Sequence, residues 1–359
     1  MFKTYEKYIV GNFTKKIILL SLIFFCLIVI LSVLEEISFF KNLSVNFLTP
    51  YLITFLGAPI TLFEVFPFIF LLSTQFLFYD LFKRDELNLL KTNGLSNIKI
   101  IKILFFSSFL IGVFTVFIFY NAASKLKFFY TDIKNDYSKD NKYLAVVTES
   151  GLWLKDEINQ STLIIKAKYM KDNYLIDVVI NQFNKNFDLE QTIQSSKIDI
   201  SKNLWIIKEP TITKENISNK NIKNYSLQTS FNTEKINSLF SNISTLNLLE
   251  LFSLKKDYEN LGYSSKEIQI HLLNLFTTPV FYGILTVLSC IIMFNISRNK
   301  SLFFHLIFGV LMSVIIYYIN FIFNSLGNNG KIPAIASTLI PLICLSIISI
   351  MGLLKINEK

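Results

Sequence analysis

Long apolar runs alternate with short polar islands along this chain, and the alternation stops for one stretch in the middle. Apolar blocks fall at Ile17–Leu34, within Tyr51–Phe82, at Ile103–Tyr120, and again at Leu272–Phe294, Leu302–Phe323 and Ile335–Leu354. Each approaches or exceeds the roughly 20 residues that a helix needs to cross a hydrocarbon core about 30 Å thick. The pattern predicts three spans, an insert and three further spans. The insert, residues 123–245, is rich in Lys, Asn, Asp and Ser and holds no spanning stretch. Its short runs lie at Tyr143–Thr148, Gly151–Asp156, Ser161–Tyr169, Tyr174–Phe183, Asn203–Lys208 and Tyr225–Thr229. Close spacing and polar turns between them predict an all-β sandwich or open barrel, with no helix-length segment before Leu246. From Leu246 to Asn274 the pattern is helical, broken at Gly262, and Ser264–Glu267 resembles a capping box. The expected domains are residues 1–122, 123–245 and 246–359.

One polar island stands out. Lys83–Ser96 reads Lys-Arg-Asp-Glu-Leu-Asn-Leu-Leu-Lys-Thr-Asn-Gly-Leu-Ser, between the second and third apolar runs. Leu87, Leu90 and Lys91 share one side of a short helix. Asp85 and Glu86 fall in its first turn, where carboxylates suit the helix dipole. Gly94 is placed to end it, and Ser96 to cap the next helix. The island is therefore a short helix at the membrane face between two spans. Taken alone, that spacing also fits a plain solvated connection.

Composition supports the membrane reading. The chain is 52% hydrophobic, more than one soluble core of this length could bury, so the +9 net charge says little about nucleic acid. The charge reports Lys-rich flanks and a Lys-rich insert instead. Lys3, Lys7, Lys15, Lys16, Lys83, Arg84, Lys91, Lys99, Lys102, Arg298, Lys300, Lys355 and Lys359 flank one set of span ends; Lys41 and Lys331 flank the other. By the positive-inside rule, both termini and the island are expected in the cytoplasm and the β insert outside. The first run is read as a retained span, because it is long for a signal peptide and is followed by Glu35 and Glu36. Cys26, Cys290 and Cys344 each sit in an apolar run, and His271 and His305 stand apart, so neither a metal site nor a disulfide is expected. There is no phosphate-binding glycine loop and no nucleophile elbow. No cofactor is expected, and the chain is not read as an enzyme.

Arg84-x-Glu86-Leu87-x-x-Leu90-Lys91-x-x-Gly94-Leu95-Ser96 resembles the cytoplasmic helix of the LptF/LptG permease family. The opening Tyr5-Glu6-Lys7-Tyr8-Ile9 is similar to that family's amphipathic first turns. Glu149-Ser150-Gly151-Leu152-Trp153-Leu154-Lys155-Asp156 resembles the start of its β domain in the LptG branch. Leu326-Gly327-Asn328-Asn329-Gly330-Lys331-Ile332-Pro333 and Pro341 are similar to its closing loop and last helix. Two departures are Phe76 and Phe78, where the family has small residues, and Asn274-Leu275 before Pro279, where it has a basic residue. The resemblance covers nearly the whole chain and implies an inner-membrane permease subunit of an ABC transporter that extracts lipopolysaccharide. It implies a second homologous permease subunit, a cytoplasmic ABC ATPase dimer and a periplasmic jellyroll bridge protein as partners. ATP hydrolysis would belong to the ATPase.

Under that resemblance Arg84, Asp85, Glu86, Leu87, Leu90, Lys91, Gly94 and Ser96 form the ATPase-coupling surface, with Glu86 foremost. Glu35, Lys41 and Glu64 are lipid-path candidates near the outer ends of the first two spans; a solvated or headgroup-zone role also fits each. Trp153, Leu163, Ile165, Val178 and Ile180 are expected to face the interior of a jellyroll-like β domain, as core or as acyl-chain lining. A rival reading is a non-transporting membrane scaffold whose β domain recruits partners. A lipoprotein-extracting subunit fits less well, since that class places its large external domain after the first span.

Overall fold

Why the apolar blocks become spans is seen in where their side chains go. In a computed structural model, residues 3–41, 43, 45–137, 152–158, 161–171, 173–214, 217–219, 223–233, 235–236, 242–260, 263–294 and 302–357 are described. Outside them lie the expected strand Tyr143–Thr148, Glu149, Ser150 and Gly151 of the β-domain start, the break at Gly262, and Arg298, Lys300 and Lys359. Among the described residues, six helices are long and apolar enough to cross a membrane. They are built from α1 (Thr4–Phe40), α2 (Thr49–Lys83), α4 (Asn97–Phe114) with its continuation, α7 (Lys266–Phe294), α8 (Leu302–Asn328) and α9 (Ala334–Asn357). The short α3 (Glu86–Thr92) lies between α2 and α4, and α6 (Leu248–Asn260) precedes α7.

The third span outruns its expected end at Tyr120. After α4 the helix passes through a π-helical turn, Thr115–Tyr120, into α5 (Asn121–Asp136). Residues from Ala123 onward are thus helical where a strand-forming insert was expected to begin. Lys125, Lys127 and Lys134 hide the helical spacing of Leu126, Tyr130 and Ile133 from a hydropathy reading.

The chain forms two compact units: Met1–Tyr130 with Leu246–Leu251 and Ser265–Lys359, and Thr131–Thr245 with Phe252–Ser264. In the helical unit α7 is central. Of its apolar window 61% is buried, against 17% for the first and fifth spans, so those two show most of their surface outward. The core joins Ile9, Phe13 and Ile17 of α1 to Phe66, Ile69, Phe70 and Leu77 of α2, Ile100 and Leu104 of α4, and Tyr282 and Met293 of α7. Phe70 stacks on Tyr282 with centroids 4.3 Å apart. Phe78 is fully buried and packs edge-on to Phe294 at 4.8 Å.

Polar contacts cross between helices inside the bundle, where hydrocarbon surroundings favour such pairing. Ser108 and Thr286 hydroxyls lie 2.7 Å apart. Ser289 Oγ donates to the Leu71 carbonyl at 2.9 Å, and Gln75 Nε2 donates to the His305 carbonyl at 3.0 Å. α8 runs past its expected end at Phe323 to Asn328, so Gly327 of the loop pattern is helical and only Gly330 lies beyond it. Gly327 packs against Ser337 and Ile270, and Gly330 takes a φ of +70° that closes the turn.

Among the described residues the second unit carries a nine-stranded antiparallel sheet in which β1-β2-β4-β5-β6-β9 are successive neighbours. Its strands are β1 (Leu152–Ile158), β2 (Ser161–Ala167), β3 (Tyr169–Lys171), β4 (Tyr174–Phe183), β5 (Leu189–Asp199), β6 (Leu204–Lys208), β7 (Thr211–Lys214), β8 (Ile217–Asn219) and β9 (Asn224–Gln228). β3, β5, β7 and β8 were not expected as separate strands. β5 reads LEQTIQSSKID: Gln191 and Ile193 are buried two apart, but the next buried residue is Ile198, five further on, so no steady alternation marks the strand. Leu154, Ile165, Ile180, Ile193 and Ile212 pair in one buried row across five strands. Leu175 and Val178, three apart, are both buried; Asp177 between them takes a left-handed φ of 50°.

The sheet is not closed by a ladder, yet its ends meet. β1 and β9 are the extremes of the path, and the buried carboxylate of Asp156 in β1 accepts from Ser230 just past β9. The Ser230 N–H lies at 2.8 Å and its hydroxyl at 2.6 Å. That curvature around an apolar interior is jellyroll-like. Trp205 fills the interior and donates its indole N–H to the Phe231 carbonyl at 2.9 Å. Tyr263, beyond α6, accepts from the Lys155 N–H at 3.1 Å. Burial raises its phenol above the ordinary tyrosine value, and that hydrogen bond opposes the rise.

Candidate functional site

At one end of the bundle the polar island folds as a tight, separately capped helix. α2 stops when Arg84 returns its N–H to the Asp80 carbonyl at 3.1 Å. Asp85 then takes a left-handed φ of 56°, a conformation that a short polar side chain tolerates better than most. Asp85 is the turn residue before the helix rather than part of its first turn, and its Oδ1 accepts from Asn88 Nδ2 at 2.5 Å. Glu86 is the first helical residue. At the far end Leu95 N–H bonds the Leu90 carbonyl at 3.1 Å and Gly94 N–H bonds that of Lys91 at 2.9 Å. With Gly94 at φ +84°, this is a Schellman ending. Ser96 Oγ accepts from Lys99 N–H at 3.3 Å and opens α4.

The helix is rooted on one side and open on the other. Leu87 is buried, Leu90 packs on the bundle core, and Lys91 places its ammonium 5.4 Å from the Phe294 ring. Arg84, Asp85, Gly94 and Ser96 are exposed. Glu86 stands between the two sides. Its Oε2 accepts from the Tyr8 hydroxyl of α1 at 2.7 Å, and its Oε1 lies 3.8 Å from Arg84 Nη1. A second ion pair at this end, Lys16 to Asp80 at 2.5 Å, ties α1 to α2. The phenol satisfies one carboxylate oxygen without neutralising it, so Glu86 remains an acceptor for a cation. Tyr8, Lys16 and Phe294 carry no sequence signal for these contacts, being far from the island along the chain.

The other candidates are scattered. Glu35 and Lys41 are exposed, and Glu64 lies exposed on α2. The structure turns the neighbouring Glu36 inward instead: it is 3% exposed and accepts from the Tyr130 hydroxyl at 2.7 Å. Lys127 places its ammonium 3.8 Å from the Tyr130 ring. Nearby in sequence, Tyr120 Oη lies 2.8 Å from His271 Nε2 and donates to the Leu246 carbonyl at 3.1 Å. Asn121 Oδ1 accepts from Leu248 N–H at 3.0 Å, so the returning chain is pinned beside the leaving one. Among the described residues no group of His, Cys, Asp and Glu is gathered as a metal site.

In the β unit Leu163, Ile165, Val178 and Ile180 are buried inside the sheet. Trp153 corrects the expectation. Strand alternation puts it opposite Leu152 and Leu154, on the outer face, 46% exposed, with the Lys166 ammonium 4.9 Å from its ring.

Two comparisons agree with this architecture. The family model described as "Lipopolysaccharide export system permease LptF/LptG" matches residues 7–355. The chain is also similar to the lipopolysaccharide export system permease protein LptG of Haemophilus influenzae (strain ATCC 51907 / DSM 11121 / KW20 / Rd). The two are 21% identical over 281 residues, which cover 77% of each chain.

Proposed function

The chain belongs to the LptF/LptG family of lipopolysaccharide export permeases, and on that premise we propose that it is an LptG-like subunit that α3 couples to a cytoplasmic ABC ATPase dimer. As a family member with six apolar helices it is a multi-pass inner-membrane permease component of the exporter. In our reading both termini and α3 face the cytoplasm and the β unit the periplasm. A second homologous permease subunit completes the cavity. ATP-driven closure squeezes lipopolysaccharide upward, without covalent change, toward the β unit and a periplasmic jellyroll bridge protein.

The observation that carries the reading is the two-sided build of α3. Leu87 and Leu95 belong to the same buried cluster as residues of α1, α2, α4 and α7, so a push on α3 is a push on four spans. Its outer side offers Arg84 and the Glu86 carboxylate, which suits a charge-assisted hydrogen bond with an ATPase arginine. At the other end of the path, Glu35, Lys41, Glu64 and Lys127 are candidates for headgroup contact. Leu163, Ile165, Val178 and Ile180 are all buried and Ile165 faces Ile180 across the ladder, so an acyl chain that used this interior would have to displace them.

The test is co-purification with the ATPase and lipid release in liposomes for Glu86→Ala and Lys83→Ala. Loss confined to Glu86→Ala supports the reading; equal behaviour of the two variants overturns it.

A further inference from the structure

We infer that Tyr8 is a positioning residue for Glu86, holding its carboxylate through Oε2 so that α1 and α3 dock as one surface. The inference rests on the coupling role proposed for α3. Two sequence patterns that stand 78 positions apart, Lys7-Tyr8-Ile9 and Arg84-x-Glu86-Leu87, meet at a single 2.7 Å hydrogen bond. Each side of that bond is anchored independently. Ile9 and Phe13, which follow Tyr8 along α1, are buried in the core that also holds Leu87 and Leu95. Glu86 follows the left-handed Asp85, so its backbone is set by the turn and the buried Leu87 rather than by solvent.

The donor type matters. An ionised carboxylate only accepts hydrogen bonds, and a phenol supplies a donor without a charge. A lysine or arginine at position 8 would pair with Glu86 and cancel the charge that a cationic partner reads. With Tyr8 on Oε2, the remaining acceptor capacity is directed to the side on which Arg84 Nη1 stands at 3.8 Å. Tyr8 itself is 43% exposed, so its ring edge is part of the surface it organises. The link also joins the beginning of the first span to the short helix, so that displacement of α3 is felt by α1 directly as well as through α2.

The test compares the parent with Tyr8→Phe, Glu86→Gln, Glu86→Ala and the Tyr8→Phe/Glu86→Gln double variant, full length in nanodiscs, titrated with the ATPase. The readouts are apparent affinity, lipid released per ATP hydrolysed, and thermal midpoint. Tyr8→Phe is expected to weaken docking about three- to tenfold, the worth of one partly exposed hydrogen bond. It should lower the lipid released per ATP and leave the midpoint unchanged, which a merely structural role would not do. The double variant should dock no worse than Glu86→Gln alone. Parent-like docking by Tyr8→Phe, alongside loss in Glu86→Ala, overturns the positioning role and leaves the coupling reading standing. Losses that multiply in the double variant also overturn it. Parent-like docking by every variant removes the coupling reading itself.

Discussion

Glu86 has a neutral donor on one oxygen and a cation near the other, and that asymmetry sets what its removal should cost. If Oε1 meets a buried ATPase arginine, Glu86→Ala leaves that arginine unpaired, at a cost of about 2–5 kcal/mol. At roughly 1.4 kcal/mol per factor of ten, even the low end weakens docking more than tenfold. Lys83→Ala, on the exposed end of α2, should cost under about 1 kcal/mol. A pull-down titration of both variants reads the difference. Gly94 is the other residue on which α3 depends. Its φ of +84° is a region that a side chain with a Cβ enters at about 1–2 kcal/mol. Gly94→Ala is therefore expected to lower the thermal midpoint slightly and weaken docking. Gly94→Asn should fall between alanine and the parent, and parent-like docking by the alanine variant would show that the Schellman ending is dispensable.

Among the elements, α8 is held by a narrow stripe. His305, Gly309, Ser313 and Ile316 are buried at helical spacing, while most positions between them are exposed. Gln75 of α2, fully buried, lays its amide across the stripe and bonds the His305 carbonyl at 3.0 Å. A Cβ on Gly309 would overlap that amide. Gly309→Ala should therefore destabilise the detergent-solubilised protein by about 1–3 kcal/mol, the usual cost of overpacking. Shortening the opposing side chain with Gln75→Ala should relieve most of that loss, because the two changes act on one contact. Thermal unfolding of the four members of this cycle measures it. Additive losses would mean that the amide and the glycine do not share a space.

For the whole molecule, the asymmetry of Lys and Arg predicts sidedness. A cytoplasm-only reporter placed within Asn88–Asn93 should be active, and one at Asn184 silent. Activity at Asn184 would invert the topology and end the export reading. The compact units also redraw the piece that should fold alone. The β unit includes Phe252–Ser264, where Tyr263 bonds Lys155 and Asp257 lies 3.9 Å from Lys235. A segment of residues 131–264 is thus expected to be soluble, rich in β structure and more stable than residues 131–245. Circular dichroism with thermal melts of the two segments decides; a helix-dominated spectrum from both would sink the jellyroll-like assignment.

The sequence by itself determined what depends on local pattern. Block length set the six spans, and turn-separated short runs set the β domain between the third and fourth. Glycine and serine at fixed offsets set the end of α3 and the start of α4. Those features follow from hydropathy over one span, strand alternation and backbone conformational preference, all of which act between near neighbours. Tertiary structure decided the rest. It carried the third span past Tyr120 as helix despite its lysines, and built β5 from a strand whose outer face is polar. It turned Trp153 outward by the parity of β1, and chose Glu36 over Glu35 for burial against Tyr130. It also brought Tyr8 to Glu86. Each of these is a choice between faces or partners far apart along the chain, and only the packing of one element on another makes one alternative cheaper than the other.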